Sequence, residues 1–327
     1  MTPAATLRIL PATTLAVLLS ACSSMPKVSM PAWSMPNWSM PQWTALKSMS
    51  TPVPGTSSQE ALANVRERPD MLVGITDDNT LITFNAGTPE RLLNQVPIKG
   101  LVDGEQITGL DFDARRPALY ALTNAGRVLT VDTDTGQIKS AGAVLKGVAG
   151  EHWCMDVDAK GQFLRMVSAE GAYWRLPLDA KTGQAGPVQI GPTLHYAPGD
   201  LLQGLKPRIV TLAYSHGTAQ DPPVALAIDA ATGFLVQQGR TLTATSDDAQ
   251  VDEHLLNAVG PLGITRFDAA TMDIAANSPA AYLVTTRAGV AENKLYELNL
   301  GSGQGRFIGL VGSARRLVAI SIVPIVP

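Results

Sequence analysis

Thr108-Gly109-Leu110-Asp111-Phe112-Asp113, answered a few residues later by Leu119-Tyr120-Ala121-Leu122-Thr123, is the stretch that decides the fold. Both are short runs rich in Val, Ile, Leu, Thr and Tyr, bounded by Gly, Asp, Asn and Pro, which is the composition and spacing of β-strands. The first run recurs along the chain. Cys154-Met155-Asp156-Val157-Asp158, Val210-Thr211-Leu212-Ala213-Tyr214, Leu262-Gly263-Ile264-Thr265-Arg266-Phe267 and Leu317-Val318-Ala319-Ile320-Ser321 follow it at intervals of about 45 to 57 residues. Repeats at that interval match the period of β-propeller blades.

A second run answers most of these copies: Leu164–Ser168 after the second, Val224–Ile228 after the third and Tyr282–Thr285 after the fourth. The fifth copy has no successor because the chain ends. Its expected partners stand at the other end of the domain, in Leu72-Val73-Gly74-Ile75-Thr76 and Leu81-Ile82-Thr83-Phe84. Such an offset is what a ring closed by pairing its last strand with its first would leave, since closure removes the open edges of a sheet. The expectation is therefore an all-β chain folded as a β-propeller of five blades, with six as the alternative.

The turns fit. Asp132-Thr133-Asp134-Thr135-Gly136, Asp179-Ala180-Lys181-Thr182-Gly183 and Asp229-Ala230-Ala231-Thr232-Gly233 share an Asp-x-x-Thr-Gly pattern, with Asn299-Leu300-Gly301-Ser302-Gly303 as a variant. Asp and Thr hydrogen-bond the local backbone, and Gly accepts left-handed φ. Asp132-x-Asp134 is not a calcium loop, because no glutamate stands at the twelfth position.

Leu72–Leu81, Gly109–Phe112 with Leu119–Leu122 after it, and Ala227–Val236 together resemble domain-of-unknown-function family 4394, a bacterial exported family with propeller-like repeats. The resemblance runs from about Met71 to Pro324. It departs in the second unit, where Trp153-Cys154-Met155-Asp156-Val157 stands in place of a Gly-Phe-Asp-Phe type of run. It implies the fold and no catalytic residue.

The N-terminus reads differently. Arg8 precedes a mostly apolar run from Ile9 to Leu19, the order of a secretory signal, and a run that short does not span a bilayer. It ends in Leu19-Ser20-Ala21-Cys22, which resembles the lipobox of bacterial lipoproteins, so residues 1–21 are expected to be removed between Ala21 and Cys22 and Cys22 to carry lipid. Residue 23 is serine rather than an aspartate that would favour inner-membrane retention. The outer membrane is expected, with the domain facing the periplasm and surface exposure as the alternative.

Residues 22–70 read as a tether. Three pentads, Ser29-Met30-Pro31-Ala32-Trp33, Ser34-Met35-Pro36-Asn37-Trp38 and Ser39-Met40-Pro41-Gln42-Trp43, place a proline at every fifth residue, which forbids a regular helix and favours extended chain. The expectation is a stiff spacer, ending in a short polar helix near residues 59–68. Placement of the tryptophans at the lipid headgroups is a second reading, and Cu(I) held by the methionines a third. Residues 71–327 form the propeller.

The formal charge is −3, and losing Arg8, the one charged residue of the signal, leaves −4. Basic residues are scattered in short pairs such as Arg115-Arg116 and Arg315-Arg316, which argues against a nucleic-acid partner. With Cys22 lipidated, Cys154 is the one remaining thiol and reads as core packing. The four histidines, His152, His195, His216 and His254, form no metal-binding spacing, and no Gly-x-Ser-x-Gly elbow occurs.

No catalytic residue and no cofactor are assigned. Asp111, Asp113, Asp156, Asp158 and Asp268 lie on or just after the repeated runs, and Asp111, Asp156 and Asp268 are the candidates to meet in the channel of the ring, with the metal, if any, unknown. Three functions follow: a binding or scaffolding module with a protein partner in the envelope, a metal-dependent hydrolase or lactonase, or a binder of small molecules or glycans. The first is preferred, because no compact catalytic constellation is present.

Overall fold

The computed structural model describes residues 58–148, 152–215, 223–241, 251–276 and 278–324. The export signal, Cys22, the pentads and His216 lie outside the described residues.

Helix α1 (Ser58–Glu67) leads into β1 (Met71–Thr76), β2 (Thr80–Asn85) and β3 (Thr88–Pro97). A second sheet follows in β4 (Ile107–Asp113), β5 (Ala118–Thr123), β6 (Arg127–Val131) and β7 (Ile138–Val144). The third holds β8 (Trp153–Val157), β9 (Phe163–Ser168), β10 (Tyr173–Pro177) and β11 (Gln189–Ile190). Next come β12 (His195–Tyr196), β13 (Ile209–Tyr214), β14 (Ala225–Asp229), β15 (Phe234–Thr241) and β16 (Val251–Pro261). The chain finishes with β17 (Ala269–Ile274), β18 (Ala281–Arg287), β19 (Val290–Leu298), β20 (Gly305–Leu310) and β21 (Leu317–Val323).

These strands make five antiparallel sheets, apart from one short parallel pairing of β12 with β16. Each is a blade, and β4, β8, β13, β17 and β21 are the innermost strands, each in contact with the next around a closed ring. The closing blade has the order β21-β1-β2-β3, with Leu72 opposite Ile322 and Gly74 opposite Ile320. The chain is thus a five-bladed β-propeller closed by its two ends.

One inner strand differs from the sequence expectation. Leu262–Phe267 is not a strand; the fourth blade gives way to the fifth there, and the inner strand is β17, seven residues further on. Leu262 is buried between two blades and Gly263 turns the chain at φ 64°, so the apolar character of that run comes from inter-blade packing rather than from pairing.

The core is divided as the ring requires. Five apolar clusters occur, one between each pair of neighbouring blades. Successive residues of a strand point to opposite faces, and a blade is covered on both. Leu72 of β1 therefore packs towards the fifth blade, while Val73 and Ile75 pack towards the second. This explains why these strands read as continuous apolar runs. The loop pattern also behaves as its chemistry dictates: Asp132 and Asp179 each accept bonds from the backbone and hydroxyl of the Thr three residues on, and Gly136 and Gly183 follow at φ 69° and 68°.

Helix α1 is seated on the ring by the residues that follow it. Arg68 reaches Glu297 of β19 at 3.1 Å, and the Asn85 amide donates to the carbonyl of Pro69. No helix among the described residues is long and apolar enough to cross a membrane.

Candidate functional site

The inner strands all run in one sense, and their C-terminal ends open into a funnel of about 750 Å³ to which all five blades contribute. Its floor is built from one recurring tripeptide, an aspartate between two apolar residues: Leu110-Asp111-Phe112, Met155-Asp156-Val157 and Met272-Asp273-Ile274. Both apolar neighbours pack into the cluster on one face of the blade, so the period of two turns each aspartate to the other face, where it meets the next blade at the edge of the channel. In the remaining two blades Ala213 and Ser321 hold the equivalent place.

The three carboxylates bring oxygens within 4.8 Å of one another, and all three residues are buried. They also join the blades. Asp111 accepts the N–H of Val157 from the next blade at 2.7 Å, Asp156 accepts that of Tyr214, and Asp273 accepts that of Ile322 at 2.6 Å. Ser321 closes the circle: its hydroxyl donates to Asp273 at 2.9 Å and accepts the N–H of Phe112 at 3.0 Å. Ala213 has nothing to offer, and Ile274 accordingly bonds its own neighbour Asp273. Between those two blades the link moves down the strand to Thr211, whose hydroxyl accepts the N–H of Met272 at 2.9 Å.

Crowding three anions in a buried place is costly. A charged pair near 5 Å repels by roughly 3–4 kcal/mol at an effective dielectric of about 20. Burial, and then the neighbouring Asp273, hold the Asp111 carboxyl well above the usual carboxylate range. Asp156 is raised by burial and by both of the other two. Asp273, which receives more donors, is raised by burial to about 6. Balance comes from protons or from a cation, and a site of oxygens alone suits Ca²⁺, Mg²⁺ or Mn²⁺ better than a softer metal.

Asp111 and Asp156 thus lie together, whereas Asp268 does not join them. It is exposed, at the opposite end of β17, where its carboxylate accepts the N–H of Ala288 at 2.8 Å. The third member of the cluster is Asp273, and the apolar-Asp-apolar tripeptide is the signal that identifies it. Asp113 and Asp158 flank the floor, paired with Arg116 at 2.7 Å and Arg165 at 3.6 Å. His152 and His195 are exposed, and His254 sits beside Asp252 away from the funnel. The Cys154 thiol donates to the carbonyl of Val167, and burial pushes it up to about 12, which leaves it unreactive.

Among solved structures the chain is similar to a protein from Lactobacillus plantarum (16% identity, 77% of this chain and 71% of that one, TM-score 0.38). It is also similar to an auxiliary nutrient binding protein from Bacteroides ovatus (10% identity, 64% and 55%, TM-score 0.42) and to the Cps50 (Swd1) β-propeller domain of Myceliophteria thermophila (13% identity, 74% and 83%, TM-score 0.38). No curated protein matches the sequence. Residues 80–321, which run from the second strand of the closing blade to the serine that completes the floor, match the model of the family described as domain of unknown function DUF4394, and the chain belongs to that family.

Proposed function

We propose that the ring is a non-catalytic binding module of the bacterial envelope, anchored to the outer membrane by lipid on Cys22 and turning its funnel to a protein partner. The funnel is the observation that carries this reading. Six carboxyl groups, from Asp70, Asp111, Asp113, Asp156, Asp158 and Asp273, line it together with the guanidinium of Arg115, and Asp113 and Asp158 are paired with Arg116 and Arg165. A wall so rich in acceptor oxygens favours a partner loop that inserts a lysine or arginine, whose charge would draw the buried carboxyls into their ionised form. Raised carboxyls in a cleft also occur in acid-base catalysis, but here all three are bound to amides of neighbouring blades and serve ring closure.

The test is site-directed photocrosslinking in intact envelopes from Ala114 and Ser278, at the rim, with exposed Asp103, before the opposite end of β4, as the control. One discrete protein crosslinked from the rim alone, and lost when Asp113 is changed to asparagine, is the expected result. Equal crosslinking from Asp103, or none from the rim, would overturn the reading.

The carboxylate cluster favours a second reading, a divalent-cation site that serves a metal-dependent hydrolase. It predicts turnover of lactone, phosphoester or glycoside substrates with calcium, magnesium or manganese, lost on Asp111→Ala, Asp156→Ala or Asp273→Ala. Absence of turnover with every metal leaves only the binding role.

A further inference from the structure

Neighbouring blades are joined by the covalent chain all round the ring, but the closing blade is itself made of two pieces. β21 arrives from the fifth blade, β1 leads on through β2 and β3 to the second, and the β1–β21 pairs hold the two pieces together. Met71 and Val323 form the last of these pairs, at the funnel end, where the chain enters β1 and leaves β21. A pull on the chain entering at Met71 acts on that pair first and would open the seam one pair at a time.

The segment between α1 and β1 crosses this seam. Arg68, only 9% exposed, reaches Glu297 of β19 in the fifth blade, and the carboxylate of Asp70 accepts the hydroxyl of Tyr282 of β18 at 2.8 Å. On the other side the carbonyl of Asp70 accepts the N–H of Ala86 at 3.0 Å and the side-chain amide of Asn85 at 3.1 Å, at the end of β2. Gly87 then lets α1 sit directly on the following turn, since a Cβ there would stand 2.2 Å from the carbonyl oxygen of Asn64. Residues 68–70 therefore tie β2, which belongs to the N-terminal piece, to β18 and β19, which continue into β21. A fully exposed ion pair would add little to such a tie. Arg68 is nearly buried and Tyr282 is only 1% exposed, and a hydrogen bond to a charged group shielded from water is stronger than a neutral one.

We propose that residues 68–70 are a latch that holds the ring shut across its seam and takes load from the N-terminal chain before the β1–β21 pairs do. The latch is independent of what the funnel binds.

Hydrogen exchange of the full chain tests it, comparing wild type with Arg68→Gln, Tyr282→Phe and the double variant. Tyr282→Phe keeps the aromatic ring and its packing, so the fold is retained. The amides of β1 and β21 are expected to exchange about tenfold faster in each single variant, as local opening of the seam becomes easier, while those of β8 and β13 keep their rates. In an optical trap that holds the full chain by its two ends, and so draws Met71 away from Val323, the double variant should open at lower force than wild type. Acceleration confined to residues 58–70, equal acceleration in all five blades, or equal opening forces would overturn the proposal.

Discussion

Changing Ser321 to alanine removes the one hydroxyl in the carboxylate ring. Ser321 is fully buried; its Oγ accepts from Phe112 and donates to Asp273. The amide of Phe112 keeps a second acceptor, Asp111 at 2.8 Å, so it is not orphaned. What is lost is a hydrogen bond to a carboxylate, worth roughly 1.5–3 kcal/mol when that carboxylate is charged. For a domain of roughly 250 residues, 1 kcal/mol shifts Tm by about 2–4 °C, so a fall of roughly 3–12 °C is expected.

The loss depends on pH with a definite sign. Asp273 ordinarily titrates at 3.8 and in the ring at about 6, so in the fold it is ionised at pH 8 and protonated at pH 4.5. The serine hydroxyl stabilises the ionised form, and the variant should therefore be penalised more at pH 8 than at pH 4.5. Calorimetric melting of both proteins at the two pH values measures this. An equal or smaller fall at pH 8 would refute the role given to Ser321.

For the intact ring, Asp111, Asp156 and Asp273 hold protons that the unfolded chain has already released. The contribution of Asp273 is complete below about pH 3.8 and is lost as the pH rises through about 6, and those of Asp111 and Asp156, which are also raised, are lost in the same direction, so Tm in chelator-containing buffer should fall from pH 3.8 to 6; a rise there would contradict their burial. Glu105, which Arg127 holds down at about 2, acts in the opposite direction, but only below about pH 4.5. Deleting residues 317–327 removes buried Leu317 and Ile320 and the partner strand of β1, a loss on the order of 10 kcal/mol against a total of roughly 5–15. The truncated chain should show no cooperative melting transition, and an unchanged Tm would disprove closure by the chain ends. Cys22→Ser should abolish incorporation of a fatty-acid analogue, and equal labelling of variant and wild type would remove the anchor from the proposal.

The fold was legible because a propeller blade is a local, repeated object. Strand pairs such as Ile107–Asp113 with Ala118–Thr123 carry both halves of a hairpin within a few residues, and the unpaired last run near Leu317 pointed to its partner at Leu72. Two features misled at the next level of detail. The Leu262–Phe267 run carries bulkier apolar side chains, Leu262, Ile264 and Phe267, than the start of the true inner strand Ala269–Ile274, and such side chains report burial without distinguishing packing between blades from pairing within one. The shared Asp-x-x-Thr-Gly turn likewise marks a hairpin and not its place: it joins the third and fourth strands at Asp132 and Asp179, but the second and third at Asp229. Composition and spacing alone determined the all-β class, the closure and two of the three floor carboxylates. Only the tertiary structure decided that Asp273 completes the floor and Asp268 does not. That depends on which residues of different blades share a channel, and it is set by how the blades pack around the ring rather than by any one blade's own sequence.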